Sequence, residues 1–213
     1  MPPDVVTRCG NPANATEALP EEEQLITRAV PKRQREFRKA RQCAREALSV
    51  LGISDFPLLS GEQREPLWPP GIVGSLSHTE GLCAVAVARA QRYRAIGIDV
   101  ERDAPIETEV ARRVCRPEEL EQLATFPSAP PLLAARLIFS AKESFYKCQF
   151  PLTRLFVGFD EVAIDLEQGG TFTVKFVRGP LLPAEEARRL VGRWQRRSGY
   201  LLTAIWLEAE VAG

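Results

Sequence analysis

The sequence predicts an α+β protein of two lobes, each a helix packed on antiparallel strands. Helical periodicity stands out over 21–50 and again over 131–150, and each helix is followed by runs that alternate with period two. The order helix-then-strands thus occurs once in each half, although no sequence repeat is detectable. A chain of 213 residues can bury the core that such an arrangement needs.

Composition narrows the function classes. Lys plus Arg equals Asp plus Glu at 28 each, so the whole molecule has no global pull towards nucleic acid or membrane. Any electrostatic function must come from local segregation of charge. No stretch is apolar enough to span a bilayer and the N-terminus lacks a signal-peptide core, so a cytoplasmic location is the expectation. Cys9, Cys43, Cys83, Cys115 and Cys148 are scattered and form no C-x-x-C pair, which argues against a disulfide framework or a zinc site.

In chain order, residues 1–20 read as a flexible lead with at most a short strand near 5–7. The helix over 21–50, broken near Pro31, carries Lys32, Arg33, Arg35, Arg38, Lys39, Arg41 and Arg45 against an apolar side of Ala40, Cys43, Ala44, Ala47 and Leu48. Gly52 is placed as its stop. A Pro- and Gly-rich loop is expected over 53–74, with Ser75–His78 as a Ser-rich loop leading to strands 82–88 and 93–101. A short helix should start at Pro117, with Glu118 and Glu119 in its first turn. The 131–150 helix follows, then hairpins 158–166 with 171–177 and 190–195 with 200–207. The division expected is an N-terminal lobe over 21–103 and a C-terminal lobe over 104–213.

Four groups of side chains could do chemistry. Asp99 and Glu101 are two apart on a strand, so their carboxylates share one face; that face is either simply solvated or a site for a hard divalent cation. Arg136, Phe139, Glu143, Tyr146 and Lys147 share one helix face, and Glu143–Lys147 is either a surface i,i+4 pair or a carboxylate and a cation at a site. His78, the single histidine, is either structural or a phosphate donor together with Ser77. Arg33 and Arg41 lie eight apart, hence on one helix face, where guanidinium forks suit phosphate monoesters; a solvated face or an RNA patch would produce the same charge run.

These pieces together resemble the 4′-phosphopantetheinyl transferase superfamily, in its monomeric surfactin/enterobactin type. The resemblance lies in Gly97-Ile98-Asp99-Val100-Glu101, then Phe139-Ser140-Ala141-Lys142-Glu143-Ser144-Phe145-Tyr146-Lys147, with Ser75-Leu76-Ser77-His78, Arg64 to Pro69 and the arginine helix upstream. It implies a pseudo-dimeric fold and transfer of the phosphopantetheine arm of coenzyme A to a serine of an apo carrier protein, releasing adenosine 3′,5′-bisphosphate. It further implies Mg²⁺ held by Asp99, Glu101 and Glu143, with Glu143 as general base, directly or through water. Lys147 and Lys142 would neutralise phosphate charge, and Arg33, Arg41, Ser77 and His78 would hold the 3′-phosphate end. The implied partner is an acyl or peptidyl carrier domain. A non-enzymatic RNA- or partner-binding module is the competing class, and the small trimeric carrier synthases, about half this length, are the competing enzyme.

Overall fold

A computed structural model describes residues 1–210. It has eight strands and six α-helices, in two antiparallel sheets. The first sheet, in the order β1-β3-β2, uses β1 (Val6–Gly10), β2 (Ile72–Thr79) and β3 (Leu82–Arg89). The second, β4-β8-β7-β6-β5, uses β4 (Tyr93–Arg102), β5 (Val162–Leu166), β6 (Thr171–Phe176), β7 (Leu190–Arg197) and β8 (Tyr200–Glu208). Each sheet is covered by one long helix, as expected from the sequence.

On the first sheet lies α2 (Pro31–Val50), preceded by the single turn α1 (Pro20–Glu23). Pro31 opens α2, where its missing N–H costs nothing. Gly52, at φ +76°, closes it. The amides of Gly52 and Ile53 return to the carbonyls of Ser49 and Leu48, which caps the last turn. Cys43, Ala44, Ala47 and Leu48 pack onto Val85 and Val87 of β3.

On the second sheet lies α5 (Pro131–Thr153), whose Leu137, Ile138, Ala141, Phe145 and Cys148 are fully buried against Ile164, Phe172, Leu201 and Ile205. It begins at Pro131 and ends where Arg154 takes a left-handed conformation, at φ 60°, and donates its N–H to Phe150 O. Gly97 of β4 sets how close α5 comes: a Cβ there would lie 1.8 Å from the Ser144 carbonyl oxygen.

The two sheets meet along β2 and β4. Both are sheet edges, and edge strands leave backbone donors unpaired. Here the Ile98 and Val100 amides donate to the hydroxyls of Ser75 (3.0 Å) and Ser77 (3.4 Å). Two serines thus stand in for a strand ladder. The apolar face of β4, Ile96 and Ile98, packs with Val5, Ala86, Ala88 and Trp206 between the sheets.

Several expectations need correction. Ser75 to His78 form no loop: they are the core of β2, with Ser75 and Ser77 buried. Polar residues at alternate positions hid this strand, because their partners are the amides of another edge. The short strand allowed near 5–7 in the lead is β1, which runs on to Gly10 and pairs with β3. The boundary between the sheets falls before β4, not at 103, since β4 pairs along its length with β8. Helices α3 (Thr108–Val114) and α6 (Ala184–Arg189) were not expected, while α4 (Pro117–Leu123) starts where Pro117 places it. No helix among the described residues is long and apolar enough to cross a membrane.

Candidate active site

Strand β4 and helix α5 place the carboxylates. Gly97, Asp99 and Glu101 point to the α5 side of β4, so the face that might have been solvated is covered by the helix. Asp99 is 4% exposed. Its Oδ1 accepts from Lys147 Nζ (2.7 Å) and Ser77 Oγ (2.7 Å), and its Oδ2 accepts from Ser140 Oγ (2.8 Å). A buried carboxylate needs such donors, and Asp99 has three. Lys147 therefore does not form the surface pair with Glu143; it turns inward to Asp99.

A cavity of about 640 Å³ opens in front of this group, lined by Ser77, His78, Asp99, Glu101, Glu143 and Lys147 with Trp68, Phe139 and Tyr146 around them. Its walls come from β2, β4, α5 and the 63–68 loop, so it lies between the lobes. Glu101 is paired with Arg136 (2.7 Å). Burial pushes the Glu101 carboxyl above the ordinary carboxylate value, with Asp99 adding to the effect and Arg136 opposing it. Glu143 makes no hydrogen bond or ion pair with the described residues. Burial raises its pKa too; Lys147 opposes this, and Asp99 and Glu101 reinforce it. Of the three carboxylates at the centre of the cavity, Asp99 is paired with Lys147 and Glu101 with Arg136, while Glu143 has no such partner among the described residues.

At the cavity edge, the Arg33 guanidinium donates to His78 Nε2 and lies 3.7 Å from Glu36, which is 3.5 Å from His78 Nδ1. Burial, then Arg33 and Lys147, push the His78 pKa below its ordinary value. Arg33 remains half exposed. Glu36 lies beside both groups, and the Arg33 guanidinium is the cation that this edge offers to solvent.

A second, narrower cavity of about 250 Å³ shares Glu143 and Tyr146 with the first and is lined besides by Lys142 and by the apolar Phe145, Phe156, Phe159 and Val162. Tyr146 packs its ring against Phe150 and, edge-on, against Phe156.

Six of the nine site residues singled out in the sequence therefore converge: Ser77, His78, Asp99, Glu101, Glu143 and Lys147. Arg33 joins them through His78. Two do not. Arg41 is 4% exposed, stacks on the Phe37 ring and donates to Leu58 O (2.8 Å) and Ser60 Oγ (3.2 Å). Burial lowers its pKa to about 10. Lys142 is 2% exposed, and its three N–H donors are used on Val114 O, Phe159 O and Glu119. Its ammonium ties α5 to α4 and the strand lead-in instead of facing a phosphate. Arg136, placed on the Glu143 face by the helical period but given no role there, is the partner of Glu101.

Carboxylate oxygens as the sole donors suit a hard cation such as Mg²⁺ better than a soft metal. In this side-chain arrangement no three acidic, histidine or cysteine side chains among the described residues converge tightly enough to enclose an ion. Asp99 is drawn towards Lys147 and Glu101 towards Arg136, while Glu143 stands free. The donor chemistry, with Glu143 unpaired, fits a divalent cation.

Sequence comparisons identify the family. The family profile of the 4′-phosphopantetheinyl transferase N-terminal domain matches residues 21–88, and that of the 4′-phosphopantetheinyl transferase superfamily matches residues 95–205. The chain is 42% identical over 194 residues to 4′-phosphopantetheinyl transferase Svp of Streptomyces mobaraensis, covering 90% of this chain and 79% of that one. It is 42% identical over 204 residues to 4′-phosphopantetheinyl transferase Npt of Nocardia iowensis, covering 88% of each. Enterobactin synthase component D of Salmonella typhi matches at 33% over 190 residues, 88% of this chain and 77% of that one. The chain belongs to the 4′-phosphopantetheinyl transferase superfamily and is an enzyme of the transferase class.

Proposed function

We propose that the protein transfers the 4′-phosphopantetheine arm of coenzyme A to the serine hydroxyl of an apo acyl or peptidyl carrier domain. The observation that carries this reading is one inter-lobe cavity lined by Asp99, Glu101, Glu143, Lys147 and His78. In the reaction the serine oxygen bonds to the pantetheine-side phosphorus of the diphosphate. The bond from that phosphorus to the bridging oxygen breaks, and adenosine 3′,5′-bisphosphate leaves. Such phosphoryl transfer asks a protein mainly to position the reactants and neutralise charge.

Asp99, Glu101 and Glu143 would hold Mg²⁺, which when bound supplies Lewis-acid stabilisation of diphosphate oxygens. Lys147 swings from Asp99 to the phosphates, where its charge is needed. Glu143 takes the serine proton, directly or through a water; a carboxyl raised by burial is better matched to that task than an ordinary one. His78 and Arg33 bind the 3′-phosphate, and the apolar cavity beside Glu143 accepts the pantetheine chain. Arg41 and Lys142 are left out of this assignment, because their donors are occupied within the fold. The five free thiols accord with a reducing, cytoplasmic setting.

The direct test is mass spectrometry of an apo carrier domain incubated with this protein, coenzyme A and Mg²⁺. A mass gain equal to phosphopantetheine is expected. Glu143→Gln and Asp99→Ala should each lower the rate by about 100-fold or more. Near-wild-type turnover in Asp99→Ala would remove the metal assignment.

A further inference from the structure

We propose that Ser140, braced by Thr203, is a positioning residue for this reaction: it fixes the Asp99 carboxylate that faces the inter-lobe cavity. The inference rests on the reading of Asp99 as a metal-holding carboxylate.

Ser140 lies in the middle of α5 and is fully buried, and Thr203 on β8 is 3% exposed. A serine inside a helix ordinarily returns its proton to a carbonyl three or four residues back. Ser144, one turn on, does so, donating to Ala141 O at 2.9 Å. Ser140 does not. Its hydroxyl is 2.8 Å from Asp99 Oδ2 and 2.8 Å from Thr203 Oγ1, and the Thr203 hydroxyl is also 2.9 Å from the Ser140 carbonyl. A carboxylate has no proton to give, so the Ser140 proton points to Asp99. Thr203 then spends its own proton on Ser140, either at the hydroxyl or at the carbonyl. The helix, the β4 carboxylate and β8 are joined in one chain of donors.

The other donors to Asp99 show why this matters. Oδ1 is held by Ser77 and Lys147, and Lys147 is the group that leaves for the phosphates in the proposed reaction. Ser140 is the described side-chain donor on Oδ2, and nothing in the reaction calls it away. It therefore keeps the carboxylate plane fixed while Lys147 moves. Groups that hold a ligating carboxylate in this way typically change metal affinity or activity by about 10-fold or more when removed.

The experiment titrates Mn²⁺, as a paramagnetic substitute for Mg²⁺, into the full-length protein and follows free Mn²⁺ by electron paramagnetic resonance. Ser140→Ala should weaken Mn²⁺ binding by about 10-fold and lower kcat in parallel, with the KM for coenzyme A little changed. Thr203→Val should show a smaller loss of the same kind, and Thr203→Ser should restore wild-type behaviour, since it keeps the hydroxyl. A purely structural role would lower the melting temperature and leave Mn²⁺ affinity alone. If Asp99→Ala abolishes Mn²⁺ binding while Ser140→Ala binds Mn²⁺ as wild type does, the positioning role is wrong and the metal reading stands. If Asp99→Ala itself binds Mn²⁺ normally, the metal reading falls, and this inference with it.

Discussion

Glu143 sits in a cavity that makes its charged form expensive, and that has a measurable consequence. A carboxyl whose folded-state pKa is raised binds its proton more tightly when folded. It thus favours the folded state below its ordinary value of 4.5, and that contribution is lost as pH rises through the raised folded value. Glu143→Gln, which stays neutral, should therefore melt higher than wild type near neutral pH in metal-free buffer. The gain should vanish below pH 4.5, and Mg²⁺ should stabilise wild type but not the variant. A Glu143→Gln protein that melts lower than wild type near neutral pH would contradict the description of Glu143 as unpaired. At the anion end, His78→Ala should raise the KM for coenzyme A by roughly 10-fold with kcat little changed, the equivalent of one charge-assisted hydrogen bond. Arg41→Ala should instead lower the melting temperature without that KM effect, because its guanidinium serves Leu58 and Ser60. Asp99, Glu101, Glu143 and Lys147 were legible in the sequence because spacings of two on a strand and four on a helix fix which side chains share a face. Arg41 and Lys142 were not, since a long cation can turn to solvent or inward, and only the packed partner decides which.

At the scale of elements, both long helices and all five strands of the second sheet were readable, from apolar periodicity and from Pro and Gly at their ends. Strand β2 was not readable as a strand. Its serines answer to the amides of β4, and that demand exists only once the two edges are side by side. The same locality explains Lys142, which looks like part of the charged run of α5 but belongs to the junction of α4 with β5. Glu119 there also accepts from the amides of Arg116 and Ile164, so removing Lys142 strands a buried carboxylate. Lys142→Met should cost about 3–5 kcal/mol of stability in denaturant titration, with kcat near wild type at low temperature. A large fall in kcat at unchanged stability would return Lys142 to the phosphate site. Gly97→Ala should be at least as damaging, about 3 kcal/mol or more, because the added methyl meets the backbone of α5 and not a side chain that could yield.

At the scale of the molecule, the two lobes face each other across a seam stitched by the hydroxyls of Ser75 and Ser77 where other sheets would have a continuous ladder. The amides of Ile98 and Val100 are therefore gauges of how firmly the halves are joined. A serine hydroxyl can swing away with a single rotation about its side-chain bond, while a ladder amide must wait for a strand to peel. By amide hydrogen–deuterium exchange, these two positions should exchange faster than the β4 amides that face β8. A coenzyme bridging the lobes should slow them preferentially. Ser75→Ala should speed Ile98 and leave the β8-facing amides alone. Equal protection along the whole of β4, with or without coenzyme A, would mean that the lobes open only when the protein unfolds. Unequal protection would make the inter-lobe cleft a joint whose looseness is set by two oxygen atoms.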